Sequence, residues 1–328
     1  MNIQSFVAKT ALAASVAAGL AVCGPVLAQT PLKTVFFISS DKSIFKAAFS
    51  EWVKKLNAEG KGLVRIDDVV GPESIPERQM SNALKNGLVD IVGAPPSYFS
   101  NLVRGAEGLS AANVTPAEQR KNGAYELVNE AFMSRANAYY LAQYGDKSSF
   151  HIFTTVPIKS VQDFKGMKLR TSNTYKAFFN ALGAQPLQMS RGEIFTALER
   201  GVVQGYANLA SEVVATGWQS VSKYRVDPHF YWPTIVVAVN LTTWKKLNPE
   251  QQAFLKKTGL YLEDVISQNL GQLERDAAAG LEKGGMQVST LAPDDAKKFV
   301  DLAYSSMWAS IEKQDPELGP KLRKLVLR

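Results

Sequence analysis

The sequence predicts an α/β protein built as two similar lobes. Three observations lead there. A β-α-β-α-β pattern occurs twice. The copies match without a gap, "ALKNGLVDIVGA" (83–94) against "ALERGVVQGYAN" (197–208). Cys23 is the only cysteine in 328 residues, so disulfides cannot hold the chain and its core must, which for this length suits two lobes.

In chain order, residues 1–28 come first. Lys9 is their only charge, "ALAASVAAGLAV" is an apolar run, and a cut after Ala28 fits small residues before it. This is the layout of a secretory signal, and the run is short for a membrane span. "KTVFFIS" (33–39) reads as a buried strand. Residues 43–57 carry Ile44, Ala47, Ala48, Val53 and Leu56 at helical spacing, and "LVRIDDVVG" (63–71) reads as a second strand. Ser74 and Glu77 have capping-box spacing with Pro76 in the first turn, and Gly87 stops that helix before the strand 88–94. Residues 117–145 read as helical, and 150–158 as a strand.

In the second copy, "MKLRT" (167–171) is a strand, 174–182 a helix stopped by Gly183, and "QPLQM" (185–189) a strand that Pro186 sends to an edge. Ser190 and Glu193 repeat the capping-box spacing, Gly201 closes that helix, and "VVQGYAN" (202–208) follows as a strand. "TIVVAVNLTTW" (234–244) is a further strand. Asn248 caps a helix with Pro249 in its first turn, and helical character persists to about Glu282, long enough to brace both lobes. Pro293 with Asp294 and Asp295 opens a last helix. The expected division is a signal at 1–28, a first lobe from 29–149 with 234–272, and a second from 150–233 with 273–328.

The formal net charge is +7, and +6 without Lys9, with Lys and Arg scattered among acids. No basic block interleaved with aromatics argues for nucleic acid, whereas a mild positive balance suits an anionic small molecule. Two histidines and no further cysteine speak against a zinc cluster, and no nucleophile elbow, phosphate loop or dinucleotide fingerprint appears. Asp67 and Asp68 point to opposite faces of an extended segment, so they are not an acid/base pair. No catalytic set, metal or cofactor is expected.

In open α/β sheets ligands bind beyond the carboxyl ends of the strands. Arg170 lies at such an end. Its planar donor fork fits a carboxylate, and Thr171, Ser172 and Asn173 add donors at the start of the next helix. The alternative is a structural pair with Glu193. Asn208 ends the equivalent strand, as Ala94 does in the first copy, and is either a ligand contact or a turn residue. Tyr231, Trp232 and Pro233 form either a pocket wall or core packing. Ser39 and Tyr98, after strands of the first copy, complete the candidates.

The segment from Asp163 to Asn208 resembles the signature region of DctP-like solute-binding proteins of TRAP transporters. That family shows D-x-K-G-x-K-x-R, here Asp163 to Arg170, then G-A-x-P, here Gly183 to Pro186. It ends in E-x-x-x-A-L-x-x-G-x-V-D-G-x-x-N, here Glu193 to Asn208. The resemblance implies a two-lobed periplasmic-binding-protein fold, α/β with mixed sheets flanked by helices, hinge strands and a long bracing helix. It implies capture of a small organic acid by hinge closure and delivery to TRAP permease membrane subunits, without a cofactor. The signature arginine falls on Arg170 and the asparagine on Asn208, and Met189 and Arg191 fall on a loop that often faces the ligand. Gln204 replaces the signature acid. Phe150 and His151 stand where many members carry a second arginine, which favours one carboxylate with an apolar or aromatic remainder. The competing functions are an exported lyase or hydrolase using the same cleft, and a binding subunit for a sensor kinase.

Overall fold

The computed structural model describes residues 29–328. The expected secretory signal at 1–28 lies outside the described residues. Two mixed sheets flanked by helices organise the chain. The five-stranded sheet runs, edge to edge, Val69–Val70, Thr34–Phe36, Ile91–Ala94, Ile235–Asn240, Ala138–Tyr144. The six-stranded sheet runs Gln287–Thr290, Tyr224–Phe230, Phe150–Thr154, Gly205–Asn208, Lys168–Thr171, Gln185–Gln188.

Each sheet contains the same parallel trio. Thr34–Phe36 pairs in parallel with Val69–Val70 and Ile91–Ala94, as Lys168–Thr171 does with Gln185–Gln188 and Gly205–Asn208. The helix stops that introduce the third strands are superimposable in their bonding. Gly87 and Gly201 have φ of +74° and +66°, which an L side chain rarely adopts. The next amides, Leu88 and Val202, reach back to Ala83 and Ala197 carbonyls at 2.9 and 2.8 Å. Beside each third strand lies an antiparallel strand delivered from outside the trio, Ile235–Asn240 in one sheet and Phe150–Thr154 in the other.

The two segments that cross between sheets, around Gly145 and Pro233, lie against one another. A Cβ on Gly145, whose φ is +111°, would stand 2.6 Å from the Pro233 carbonyl oxygen, so no side chain fits there. Behind them runs the long helix, Pro249–Tyr261, a π turn at Leu262–Ile266, and Ser267–Lys283. Asn248 caps it in a capping box with Gln251, and Pro249 is its first residue. Its first part packs on Ala138–Tyr144 and on helix Ile44–Glu59, and its last part on Ala210–Thr216 in the other lobe. Ser267 Oγ accepts from the Gly145 amide at 3.3 Å and donates to Asp146 at 3.0 Å. The helix therefore braces both lobes and one crossing segment.

Several elements differ from the sequence expectation. The segment 63–71 is not one strand. Val64–Arg65 pairs with Thr30–Pro31 and Val69–Val70 joins the main sheet, because Asp67 and Asp68 between them stay exposed. Ser74 and Glu77 form no capping box; Glu73 accepts from the Gly71 amide at 2.8 Å instead, and a 3-10 turn precedes helix Met80–Lys85. Ser190 and Glu193 do form theirs. Residues 117–145 are two helices, Pro116–Asn122 and Ala124–Ala136, followed by the wholly buried strand Ala138–Tyr144. Asn137, with φ of +48°, makes the break. The strand 234–244 stops at Asn240, whose side chain caps helix Leu241–Lys246. The final helix, Leu318–Val326, packs on helix Pro293–Gln314 and also on Ala124–Ala136 and the turn Ala106–Ala111 of the first lobe. Its apolar face of Leu318, Leu322 and Val326 is buried there.

Candidate functional site

The carboxyl ends of both parallel trios face one cavity of about 360 Å³ between the lobes. Phe37, Phe45, Glu77, Arg78, Pro95, Ser97, Tyr98 and Ser110 line it from the first lobe. Phe150, Arg170, Ser172, Asn173, Tyr175, Met189, Arg191 and Asn208 line it from the second, and Pro233, Thr234 and Ile235 from a crossing segment. It opens into a wider cleft that shares Glu77, Arg78, Ser190 and Arg191 and adds Ser39, Glu73 and Trp218.

Arg170 is a half-buried cation of this cavity. Strand Lys168–Thr171 aims it there, and its Nε and Nη2 donate to the Met189 carbonyl oxygen at 3.2 and 3.0 Å. Among the described residues no carboxylate pairs with it. Glu193, the structural partner weighed from the sequence, accepts instead from Ser190 at the head of its own helix. Burial presses the Arg170 pKa below the usual guanidinium range, the Tyr175 and Tyr98 phenols resist that shift, and neighbouring Arg191 adds to it. Burial likewise pushes the Tyr175 phenol up to about 12 while Arg170 and Arg191 pull the other way. Tyr98 is raised by burial and by the facing Glu77 carboxylate. A monoanion placed against Arg170 would relieve the strain that burial puts on its charge.

The other candidates divide. Ser172 caps helix Asn173–Ala181 by position, with its side chain left out of the cap, and the free amides of that first turn face the cavity end of the strand. Asn173 Oδ1 accepts from Gln188 Nε2 at 3.0 Å. Asn208 Oδ1 accepts from the Leu209 amide at 3.0 Å, so half of the side chain serves the turn; its Nδ2 has no hydrogen-bond partner among the described residues. Arg191 donates to the buried Glu212 and its guanidinium lies 5.2 Å over the Trp218 ring.

Five of the candidate residues are corrected. Thr171 is fully buried and its hydroxyl donates to the Ser172 carbonyl at 2.8 Å, so it offers nothing to the cavity. Tyr231 is core, its hydroxyl donating to the Ala303 carbonyl, and Trp232 lies on a separate small pocket beside Gln143. Only Pro233 of that trio reaches the cavity. His151 faces away, because it follows Phe150 on a strand and neighbours alternate. Ser39 reaches only the wider cleft and donates to Glu73.

His151 instead binds Asp227 at 2.9 Å, where Arg225 also donates at 3.2 Å. Burial raises the Asp227 carboxyl, but the His151 and Arg225 hydrogen bonds outweigh it and hold the pKa at about 2. A depressed acid adds stability above its ordinary pKa and loses it as pH falls through the folded value. Unfolding in urea should therefore show a loss of roughly 2 kcal/mol between pH 5 and pH 2 that Asp227→Asn does not show.

Sequence reasoning missed Glu77 and Arg78. They sit on a 3-10 turn that the sequence presents as the exposed start of a helix. Tyr175, buried and beside Arg170, went unmarked within the helix expected at 174–182. Among the described residues no cluster of His, Cys, Asp and Glu suits a metal ion, and no helix is long and apolar enough to cross a membrane.

A two-lobed α/β frame with an arginine-bearing cavity between its lobes is the architecture of a ligand-capturing protein. The family model for bacterial extracellular solute-binding protein, family 7 (DctP) matches residues 36–314, and the chain belongs to that family. The 2,3-diketo-L-gulonate-binding periplasmic protein YiaO of Escherichia coli is 27% identical over 52% of each chain, so the match spans about half of that relative's length. The C4-dicarboxylate-binding periplasmic protein DctP of Rhodobacter capsulatus is 24% identical over 75% of this chain and 76% of its own. In fold, a TRAP periplasmic solute-binding protein from Desulfovibrio salexigens solved with orotic acid superposes with a TM-score of 0.81 at 20% identity, covering 91% of this chain and 97% of that one. The Bordetella pertussis receptor DctP7, solved with pyroglutamic acid, gives 0.79 at 18% identity over 91% and 100%.

Proposed function

We propose that this chain is the extracytoplasmic solute-binding component of a TRAP transporter, exported by residues 1–28. It captures a small acid bearing one carboxylate and an apolar or aromatic remainder, closes its lobes about the crossing segments, and delivers the acid to membrane permease subunits. The observation that carries this reading is Arg170, a cavity guanidinium with no carboxylate partner among the described residues. Charge supports a monoanion. Arg191 is offset by Glu212, and Glu77 stands next to Arg78, so Arg170 is the uncompensated charge. Phe37, Phe45, Phe150, Tyr175 and Ile235 supply apolar wall for the remainder, and the volume is that of a small-ligand site. Orotic acid and pyroglutamic acid, bound by the two structural relatives, are compact ring acids with one carboxylate.

Melting curves against a panel test this. Aromatic and apolar monocarboxylates should raise the melting temperature, and the reading of one carboxylate fails if only dicarboxylates or sugar acids do. The acid should also be recovered unchanged by NMR after long incubation, since the protein is proposed to bind and not to turn over.

A further inference from the structure

One hydrogen bond joins the lobes at the edge of the cavity through a buried carboxylate. Glu212, on helix Ala210–Thr216 of the second lobe, is 1% exposed. Its Oε1 accepts from Ser43 Oγ of the first lobe at 2.6 Å, and its Oε2 accepts from Arg191. Ser43 is equally buried. Its oxygen also accepts from the Lys46 amide at a long 3.4 Å, at the head of helix Ile44–Glu59. The hydroxyl proton thus serves Glu212 while the lone pair serves the helix.

We propose that Glu212 is a positioning residue that holds Arg191 in the cavity wall and that Ser43 latches it when the lobes close. Separated lobes leave Glu212 with Arg191 and water. Closed lobes exclude that water and supply the Ser43 donor, which a buried carboxylate needs in addition to its cation. Arg191, fixed between Glu212 and the Trp218 ring, is then presented to the cavity in one orientation. The inference deepens the binding reading above by naming what favours the closed form.

The test needs no ligand, so it stands or falls independently of which acid binds. Spin labels at Glu51→Cys and Lys176→Cys, in a Cys23→Ser background, report the distance between lobes by pulsed electron resonance in the ligand-free protein. Ser43→Ala should move the closed-to-open ratio about tenfold or more toward open, the effect of one hydrogen bond to a charged group. Ser43→Asp separates latch from cap. Aspartate caps a helix as well as serine does, yet it brings a second carboxylate to Glu212, so it should open the protein further than Ser43→Ala. Ser43→Thr, which keeps the donor, should leave the distribution as in the parent. Unchanged distributions in both Ser43→Ala and Ser43→Asp, whether open or closed, overturn the latch. So does a Ser43→Asp protein more closed than Ser43→Ala.

Discussion

Arg170→Ala is expected to remove acid binding without unfolding the protein. Loss of a desolvated charged hydrogen bond costs roughly 2–5 kcal/mol, or about thirtyfold to several-thousandfold in affinity. The structural half of this expectation rests on what Arg170 touches. Its only hydrogen-bond partner among the described residues is the Met189 carbonyl, a neutral group at the cavity wall that water can serve in the variant. No buried carboxylate is orphaned by the change. The ligand-free variant should therefore melt within a few degrees of the parent, or above it, since a cation disfavoured by burial has been removed. Titration calorimetry with whichever panel acid stabilises the parent gives the binding half. Retained affinity in Arg170→Ala would move the anion site elsewhere in the cavity, with Arg78 or Arg191 as its next bearer.

Arg120→Ala should have the largest effect on stability, about 3–5 kcal/mol. Arg120 grips Glu263 with Nε at 2.7 Å and Nη2 at 2.8 Å, and Nη2 also reaches the Leu141 carbonyl at 3.1 Å. Glu263 lies in the π turn of the long helix, nearly fully buried, and also accepts from the Gln143 amide at 2.9 Å. Burial raises its pKa, and Arg120 is the charge that opposes this. Alanine would leave a carboxylate facing apolar core. Removing both charges, as in Arg120→Met with Glu263→Met, should cost much less than the single change, because the pair itself is close to break-even against apolar side chains. Urea unfolding of the two singles and the double gives the coupling directly. A single variant as stable as the double would mean that water reaches Glu263.

What was legible in the sequence follows from how local each signal is. Capping boxes, helix-stopping glycines and apolar strand runs act within a few residues, so the repeated β-α-β-α-β unit and the start of the long helix could be read directly. Ala138–Tyr144 could not. Its residues are helix-tolerant, and it is extended because it pairs with Ile235–Asn240 and is covered by the long helix. Tyr224–Phe230, with Arg, Asp, Pro and His in seven residues, lacks any apolar run and is a strand only through its neighbours. At the site, residues at strand ends were legible because topology places them. Phe150 and His151 needed one further step. The alternation that argued against an Asp67–Asp68 pair applies equally there, and sends one side chain to the cavity and the other to Asp227. Glu77 and Arg78 carry no local mark, since their place depends on the second lobe opposite them.

The central position of Ile235–Asn240 in the first sheet governs the order in which the protein can be assembled. It lies between Ile91–Ala94 and Ala138–Tyr144, yet the chain reaches it only after most of the second lobe has been made. Until then a nascent chain carries two strand edges with nothing between them, and the loop that must close contains nearly an entire lobe. Neither sheet is built from one continuous stretch of the chain. A chain stopped before residue 235 is therefore expected to keep open edges able to pair with other chains.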